Sequence, residues 1–204
     1  YRSELISMIQ SKRDYLRYIH QDAVALGKCS RGIKSHIKNL LFPPPIWKFQ
    51  QTMRKLEYFS NVRGRNIRLF WYKWRYHKLS IKLGFSIPIN TCGPGLSIAH
   101  YGPIIINPAC KIGQNCRIHA CVNIGASGGS SLAPKIGNNV YIGPSAVLFG
   151  DITIADNVTI GANATVNRDC MVENVVLAGT PAKIVKENQP VWWMLNKIRL
   201  ESIK

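Results

Sequence analysis

The sequence predicts a mainly β protein in which a parallel β-helix follows an α-helical N-terminal region, and three observations lead to this fold class. An aliphatic residue recurs every six positions through the C-terminal part of the chain. The first 84 residues instead place apolar side chains at helical spacing. Near Gly84 the chain changes from aromatic and basic to rich in Gly, Asn, Ala, Val and Ile.

The N-terminal region is predicted to contain several helices. Apolar residues recur at helical spacing between Leu5 and Leu26, and Gly27 suits a helix C-cap. The run Pro43-Pro44-Pro45 ends any helix in the 33–41 segment. A second helix is expected over about 46–59 and a third over about 65–83, with a turn at residues 61–64.

Charge is concentrated in the same region. The 204 residues carry a net charge of +17, and residues 1–84 contribute +14 of it, with 18 of the 27 Lys and Arg and 4 of the 10 Asp and Glu. A hydrophobic content of 46% excludes wholesale disorder. So basic a chain indicates an anionic partner, which is nucleic acid, an acidic membrane surface or a phosphorylated ligand. No nucleic-acid recognition motif is present, and binding to nucleic acid is not predicted.

Targeting and metal-binding signals are not found. No apolar run approaches the roughly 18–20 residues that a transmembrane helix needs. The N-terminus does not resemble a secretory signal peptide. The six cysteines form no CxxC pair and no zinc-ligand spacing with His, so the sequence predicts buried reduced thiols, no metal site and a cytoplasmic location.

The C-terminal part is a repeat of six residues. Gly often follows the aliphatic residue of each period, and a small residue or Val often lies four positions after it. A period of six fits a chain that turns a corner every six residues, so that three sides form a triangular coil and the aliphatic side chains stack inside it. Eleven positions are predicted to point inward: Ile106, Ile112, Ile118, Ile124, Ile136, Ile142, Leu148, Ile154, Ile160, Val166 and Val172.

One interruption and three segments complete the predicted organisation. Ile124 and Ile136 are two periods apart with Ser130 in the middle position, so residues 127–135 are predicted to form a loop that leaves the coil. The expected segments are a basic helical region over residues 1–84, a β-helix over residues 85–187 and a C-terminal cap or tail over residues 188–204.

Several stretches resemble the hexapeptide-repeat, left-handed β-helix acyltransferases, and in particular the serine O-acetyltransferases and their relatives in polysaccharide gene clusters. These stretches are Gly95-Leu-Ser-Ile-Ala-His-Tyr-Gly102, the 127–135 loop ending in Pro134-Lys135-Ile136-Gly137, and Ala178-Gly-Thr-Pro-Ala-Lys-Ile184. The resemblance covers residues 84–186 closely and the N-terminal helices only loosely. It implies a left-handed β-helix and an acetyl-CoA-dependent O-acetyltransferase.

His100 is the catalytic residue that the resemblance implies. In the family, the equivalent His is the general base that takes a proton from the acceptor hydroxyl, which then attacks the acetyl-CoA thioester. An alcohol is a poor nucleophile at neutral pH, and an imidazole titrates close to that pH. His119 is expected to be a bystander of the acceptor groove, and Asp151, Asp156 and Asp169 are expected to be structural.

The acceptor side departs from the serine acetyltransferase pattern. The position that aligns with the family's orienting Asp is about Ser86, and Ser86, Asn90, a backbone carbonyl or a neighbouring subunit are the alternatives for that role. The Asp before the catalytic His is Ala99, and the Arg-His before Pro-Lys-Ile is Leu132-Ala133. These losses fit a hydroxyl on a sugar or polysaccharide precursor better than free serine, and a non-catalytic β-helix scaffold is the alternative from another class.

The CoA side is retained in the resemblance. Family members hold the pantetheine arm largely through backbone groups between coils, and Ala126, Pro144 and Ala162 match the small corner residues along it. Pro144 replaces an Ala and removes an N–H donor. Lys135 and Lys183 are expected to meet the CoA phosphates.

Two further points are how copies of the chain assemble and what the basic helices contact. The resemblance implies a homotrimer with active sites between neighbouring β-helices, and trimers of serine acetyltransferases pair through their N-terminal helices. Many aromatic residues alternate with Lys and Arg between Trp47 and Tyr76. Such a segment either packs against the β-helix or a second trimer, or makes peripheral contact with an anionic membrane. An apolar C-terminal stretch, Val191 to Leu195, is expected to cover the last coil.

Overall fold

The computed structural model describes residues 8–28, 44–64 and 66–194, in which helices precede a long array of short strands. Leu5, the 33–41 segment, Arg65 and the end of the C-terminal tail lie outside the described residues. The helices are α1 (Lys12–Ala25), α2 (Pro45–Tyr58) and α3 (Ile67–Leu83), with a π-helical turn at Phe59–Arg63.

Local sequence explains where these helices begin and end. The Ser11 side chain accepts a hydrogen bond from the Asp14 N–H and caps α1, and the Asn66 side chain accepts one from the Leu69 N–H and caps α3. Pro45 occupies the first turn of α2, where a missing N–H costs nothing. Gly84 ends α3 in the left-handed conformation, with a φ of 74°. The predicted turn over residues 61–64 is instead the end of the π-helical turn.

Fourteen strands wind through three sheets in the part of the chain that the structure describes. The strands are β1 (Phe85–Ser86), β2 (Ser97–Ile98), β3 (Ile104–Ile106), β4 (Lys111–Ile112), β5 (Arg117–Ile118), β6 (Asn123–Gly125), β7 (Lys135–Ile136), β8 (Tyr141–Ile142), β9 (Val147–Phe149), β10 (Thr153–Ile154), β11 (Thr159–Ile160), β12 (Thr165–Val166), β13 (Val176–Gly179) and β14 (Ala182–Lys186). One sheet consists of β1, β3, β6, β9 and β12, a second of β4, β7 and β10, and a third of β2, β5, β8, β11, β13 and β14. All pairings of these strands are parallel except that of β13 with β14.

The inward positions follow the predicted period with one exception. Ten of the eleven aliphatic residues are buried, with exposures of 4% or less, and they belong to one hydrophobic core. Val172 is 50% exposed, so its predicted inward position is wrong. Val175 and Leu177 are buried instead, because the repeat changes phase before the β13–β14 hairpin. Lys135 begins β7 and is therefore not a loop residue as predicted.

The corners use asparagine as expected. Asn115, Asn139 and Asn157 have φ values between 55° and 63°, a backbone region that Asn tolerates better than most residues. Their side chains form a ladder, in which the Asn115 amide donates to Asn139 at 3.0 Å and the Asn139 amide donates to Asn157 at 2.9 Å. Each coil is thereby tied to the next at the same corner.

The helices are packed onto the first coils of the β-helix. Phe49 and Met53 of α2 are fully buried in the same core as the strands, and the Phe49 ring stacks on Tyr76 with centroids 5.3 Å apart. The Leu83 carbonyl accepts a hydrogen bond from the Gly102 N–H at 3.0 Å, which joins the end of α3 to the segment that contains His100. None of the helices in residues 8–28, 44–64 and 66–194 is long and apolar enough to cross a membrane.

Candidate functional site

His100 lies at a corner of the β-helix, in the segment that connects β2 with β3. Its side chain is exposed, while Ile98 and Ile104 on either side of it are buried and hold the two strands in the core. Equivalent corners follow β5, β8 and β11, and we call this line of corners the His100 edge; β13 ends on the same side of the sheet but turns back into β14.

The corners of the His100 edge are stacked through backbone hydrogen bonds. The Cys121 N–H donates to the Pro103 carbonyl at 2.7 Å, and the Ser145 N–H donates to the Ala120 carbonyl at 3.0 Å. The Asn163 N–H donates to the Pro144 carbonyl at 2.9 Å. The edge therefore runs without interruption from His100 towards the end of the β-helix.

Three aromatic rings lie along the beginning of this edge. The His100 and His119 ring centroids are 5.9 Å apart, and the His119 and Tyr141 centroids are 5.0 Å apart. His119 follows β5 and Tyr141 lies on β8, which pairs directly with β5. His119, for which the sequence predicted a bystander role, therefore lies beside His100.

Arg117 fixes the position of His119. Its Nε lies 3.4 Å from Nε2 of His119, and its Nη1 donates to the Ser97 hydroxyl at 2.9 Å. Burial, followed by the nearby Arg117 guanidinium and then His100, lowers the pKa of His119 below its ordinary value. His119 is therefore held neutral, with one ring nitrogen facing a cationic donor.

The C-terminal segment also reaches this part of the molecule. Trp192 is 8% exposed, and the Arg117 guanidinium lies 5.8 Å from its ring centroid. The segment had been expected to cover the last coil, whereas Trp192 contacts Arg117 on β5, three strands before β13 in the same sheet.

The residues predicted to contact CoA lie in two places. Pro144 and Ala162 are exposed corner residues of the His100 edge, one coil apart, and Lys183 is exposed on β14 at the end of the same sheet. Ala126 follows β6 and Lys135 begins β7, so both lie at the next edge of the triangle. Lys135 forms an exposed ion pair with Asp151, with 3.6 Å between its Nζ and the carboxylate.

Asn90 and Ser86, two of the residues suggested to orient His100, have different surroundings. The Asn90 side chain exchanges hydrogen bonds with Asn61 at 2.8 and 3.2 Å, so its amide is engaged away from His100. Ser86 is exposed on β1. Ala133, in place of a family His, is 3% exposed and packs in the core, while Leu132 is 50% exposed.

Sequence reasoning missed Arg117 and Tyr141. Both residues directly precede an inward aliphatic residue of the repeat, Ile118 and Ile142, and therefore point outward on neighbouring strands. The outward position directly before an inward aliphatic residue is therefore the sequence signal that could have identified both residues. Two of the three aspartates expected to be structural bind the backbone of a neighbouring coil, since Asp156 accepts from the Asn138 N–H at 2.6 Å and Asp169 from the Thr153 N–H at 2.7 Å, whereas Asp151 makes the exposed ion pair with Lys135.

Comparisons with known proteins agree with this architecture. The family model described as bacterial transferase hexapeptide (six repeats) matches residues 133–168. A curated serine acetyltransferase of Synechococcus elongatus is 33% identical over 95 residues. The match covers 46% of this chain and only 38% of that relative's length.

Solved structures extend the similarity to the helices. A serine acetyltransferase from Brucella abortus strain S19 superposes with a TM-score of 0.69 at 23% identity, covering 86% of this chain and 70% of that one. A serine acetyltransferase in complex with CoA gives a TM-score of 0.67 at 21% identity, covering 85% of this chain and 71% of that one. The predicted fold class, a left-handed β-helix with N-terminal helices, is confirmed. The chain therefore carries the bacterial transferase hexapeptide repeat and has the fold of the serine acetyltransferases.

Proposed function

We propose that this protein is an acetyl-CoA-dependent O-acetyltransferase in which His100 is the general base. The observation that carries the proposal is the exposed imidazole of His100 at the head of a continuous edge, beside the rings of His119 and Tyr141. The relatives that share its fold and part of its sequence are named serine acetyltransferases, and one of them was solved with CoA.

The reaction needs one proton acceptor and no covalent enzyme intermediate. His100 takes the proton of the acceptor hydroxyl as its oxygen attacks the thioester carbonyl carbon of acetyl-CoA. The new C–O bond forms, the C–S bond breaks, and the proton passes from the imidazolium to the departing CoA thiolate. A general base of this kind contributes about 100- to 10,000-fold to the rate.

Acetyl-CoA is proposed to bind along the His100 edge. Pro144 and Ala162 follow one another along it, so an extended pantetheine arm beginning at His100 would pass both. Lys183 is exposed near the end of the same sheet, where it is available to a CoA phosphate. Ala126 and Lys135 lie on the neighbouring edge, so a single chain does not enclose all five residues.

A homotrimer would reconcile these two groups of residues. In a groove between two copies, the His100 edge of one copy faces the second copy. Ala126 and Lys135 of the second copy would then line the groove opposite His100. Exposed apolar side chains next to His100 support such contact, because Tyr101 is 69% and Ile105 is 48% exposed. Pairing of two trimers through the helices remains a prediction.

Serine is the acceptor that the names of the relatives suggest, and a sugar hydroxyl is the second candidate. The specific observation in favour of the sugar is the lining near His100. Ala99, directly before His100, offers no charge for the amino group of an amino acid, and Leu132 and the buried Ala133, next to Lys135 on the neighbouring edge, offer none for its carboxylate. The rings of His119 and Tyr141, 5.0 Å apart, provide aromatic faces of the kind on which a sugar ring packs.

The test is release of free thiol from acetyl-CoA in the presence of serine, nucleotide sugars or lipid-linked sugars. The expected result is that one acceptor class supports turnover and that His100→Ala lowers the rate by about 100-fold or more. His20→Ala, which removes an exposed imidazole from α1, is the matched control and keeps the rate of the unmodified protein. Thiol release with none of the acceptors would favour a non-catalytic scaffold, and equal rates for the two variants would remove His100 from the mechanism.

A cytoplasmic location is part of the proposal. The five cysteines within the described residues are all free thiols; Cys92, Cys110, Cys116 and Cys170 are buried as predicted, whereas Cys121 is exposed, so the prediction of a buried thiol is wrong there. Unpaired cysteines are usual in reducing compartments, which supports this location.

A further inference from the structure

One side of α3 exposes a continuous stripe of large apolar residues. We call this surface the α3 face; it consists of Ile67 (85% exposed), Phe70 (74%), Trp71 (45%), Trp74 (54%) and Ile81 (68%). These residues are three, four or seven positions apart, so they lie on the same side of the helix. Contiguous exposed apolar surface of this kind marks an interaction site.

The opposite side of α3 already attaches the helix to the protein. Tyr76 stacks on Phe49 and donates its hydroxyl hydrogen to the Ile87 carbonyl. Leu83 is 6% exposed and belongs to the main core. The expectation that the aromatic residues of this region pack internally therefore holds for one side of α3, while the residues of the α3 face are 45–85% exposed.

The formally charged side chains of α3 are all positive. Residues 67–83 include five Lys and Arg and no Asp or Glu. Two of these cations lie against the exposed aromatic rings, since Arg75 is 5.1 Å from the Trp71 ring centroid and Lys78 is 6.0 Å from that of Trp74. Aromatic and aliphatic side chains flanked by cations are typical of a helix that lies in the plane of an anionic membrane surface.

We propose that the α3 face binds the surface of a membrane that contains anionic lipid. Charge complementarity favours this occupant over a second copy of the chain, because two copies meeting at this face would bring together the five cations of each α3 helix with no acidic residue of α3 to balance them. The helix lies on the membrane instead of crossing it, since five cations are distributed along its 17 residues.

A cavity at the N-terminal end of α3 agrees with a lipid headgroup at this surface. It has a volume of about 480 Å³, and three of its lining side chains are the cations Lys12, Arg63 and Arg68. Ile67 lines the cavity and also belongs to the α3 face, so the apolar surface and the cationic cavity are continuous. A phosphate headgroup in the cavity would leave the acyl chains next to the exposed aromatic residues.

The experiment is flotation of the full chain with two kinds of vesicle, phosphatidylcholine alone and phosphatidylcholine with about one third phosphatidylglycerol, at low and at high salt. We expect flotation with the anionic vesicles at low salt and its loss at high salt or with the neutral vesicles. The double variant Phe70→Ser/Trp74→Ser and the double variant Lys78→Glu/Lys82→Glu are each expected to lower vesicle binding at least tenfold. All four side chains are exposed, and circular dichroism verifies that the variants fold.

Two matched variants control for the change in hydrophobicity and charge. Met171→Ser/Val172→Ser removes exposed apolar side chains, and Lys111→Glu/Arg168→Glu reverses two exposed charges, all of them on the β-helix. Both controls are expected to bind vesicles as the unmodified protein does. The proposal is wrong if the protein floats with neither vesicle, or if the controls lose binding as much as the α3 variants do. It is equally wrong if Phe70→Ser/Trp74→Ser instead lowers the mass measured by light scattering to one half or one third, which would identify the α3 face as an interface between copies.

Discussion

Arg54 and Asp22 form a fully buried ion pair, with 2.9 Å between the guanidinium Nε and the carboxylate, where α1 and α2 meet the first coil of the β-helix. Arg54 also donates to the carbonyls of Cys92 and Gly93 at 2.8 and 2.7 Å. One oxygen of Asp22 accepts the backbone N–H groups of Gly95 and Leu96 at 2.8 and 2.9 Å. Each charge is thus hydrogen-bonded to the coil as well as to its partner, which is the condition for burying charges at low cost.

The first prediction concerns the stability that this pair provides. Asp22→Asn leaves the buried Arg54 guanidinium paired with Glu57 alone, at 3.1 Å, and gives the Gly95 and Leu96 N–H groups a neutral acceptor in place of a charged one. We therefore expect the free energy of unfolding to fall by about 1.5–3 kcal/mol, as measured by denaturant titration. Arg17→Gln is the matched control on the same helix, because the half-exposed Arg17 lies 3.8 Å from Asp14 and removing this surface contact costs at most about 1 kcal/mol. Equal losses in the two variants would contradict the proposed role of the buried pair.

The second prediction tests the register of the coil. Ile142 is fully buried, so Ile142→Ala is expected to lower the free energy of unfolding by about 2–5 kcal/mol. Val172 is the comparable aliphatic residue that does not point inward, and Val172→Ala is expected to cost less than about 0.5 kcal/mol. Denaturant titration of both variants decides the matter. If Val172→Ala lowered the free energy of unfolding as much as Ile142→Ala does, Val172 would have to point into the core.

The inward residues could be predicted because each of them depends on a local repeat. One period of six sets which side chain points inward, and the neighbouring coil repeats the same choice, so Ile112 or Ile160 needs no knowledge of distant residues. Val172 departs from the pattern because β13 pairs with the antiparallel β14 and the coil no longer continues.

Which side chains meet around His100 depends on how many residues separate paired positions of neighbouring coils, and the six-residue repeat does not specify that number. Ser97 pairs with Arg117, twenty residues later, and Arg117 pairs with Tyr141, twenty-four residues later, because the 127–135 excursion lengthens that coil. Contacts between outward side chains therefore required the structure. The same is true of Arg54 and Asp22, which are on different helices and whose pairing has no local signature.

The third prediction concerns the protonation of His119. Burial, Arg117 and His100 lower its pKa, so the folded protein holds this proton less tightly than the unfolded chain, whose ordinary value is 6.5. The stabilising effect of the neutral ring is complete above pH 6.5 and is lost as the pH falls below it towards the lowered folded-state pKa. His119→Gln is therefore expected to reduce the loss of melting temperature between about pH 7.5 and pH 5.5.

A direct measurement of the same effect is titration of the histidine ring signals by NMR. Arg117→Gln removes the cation next to His119, so the pKa of His119 is expected to rise towards its ordinary value. Arg168→Gln removes an exposed guanidinium elsewhere on the β-helix and is expected to leave the titration unchanged. If Arg117→Gln has no effect, the guanidinium does not govern the protonation of His119.

The last prediction concerns the edge along which acetyl-CoA is proposed to bind. Pro144 has no backbone N–H and is exposed at a corner of the His100 edge. Pro144→Ala restores a donor facing the pantetheine arm, and one hydrogen bond of about 0.5–1.5 kcal/mol corresponds to a KM for acetyl-CoA about 2- to 12-fold lower. Steady-state thiol release measures this change, and Pro45→Ala, which alters an exposed proline in the first turn of α2 and not at an edge of the β-helix, is expected to leave the KM unchanged. A KM that responds equally to both substitutions, or to neither, would mean that the arm does not pass Pro144.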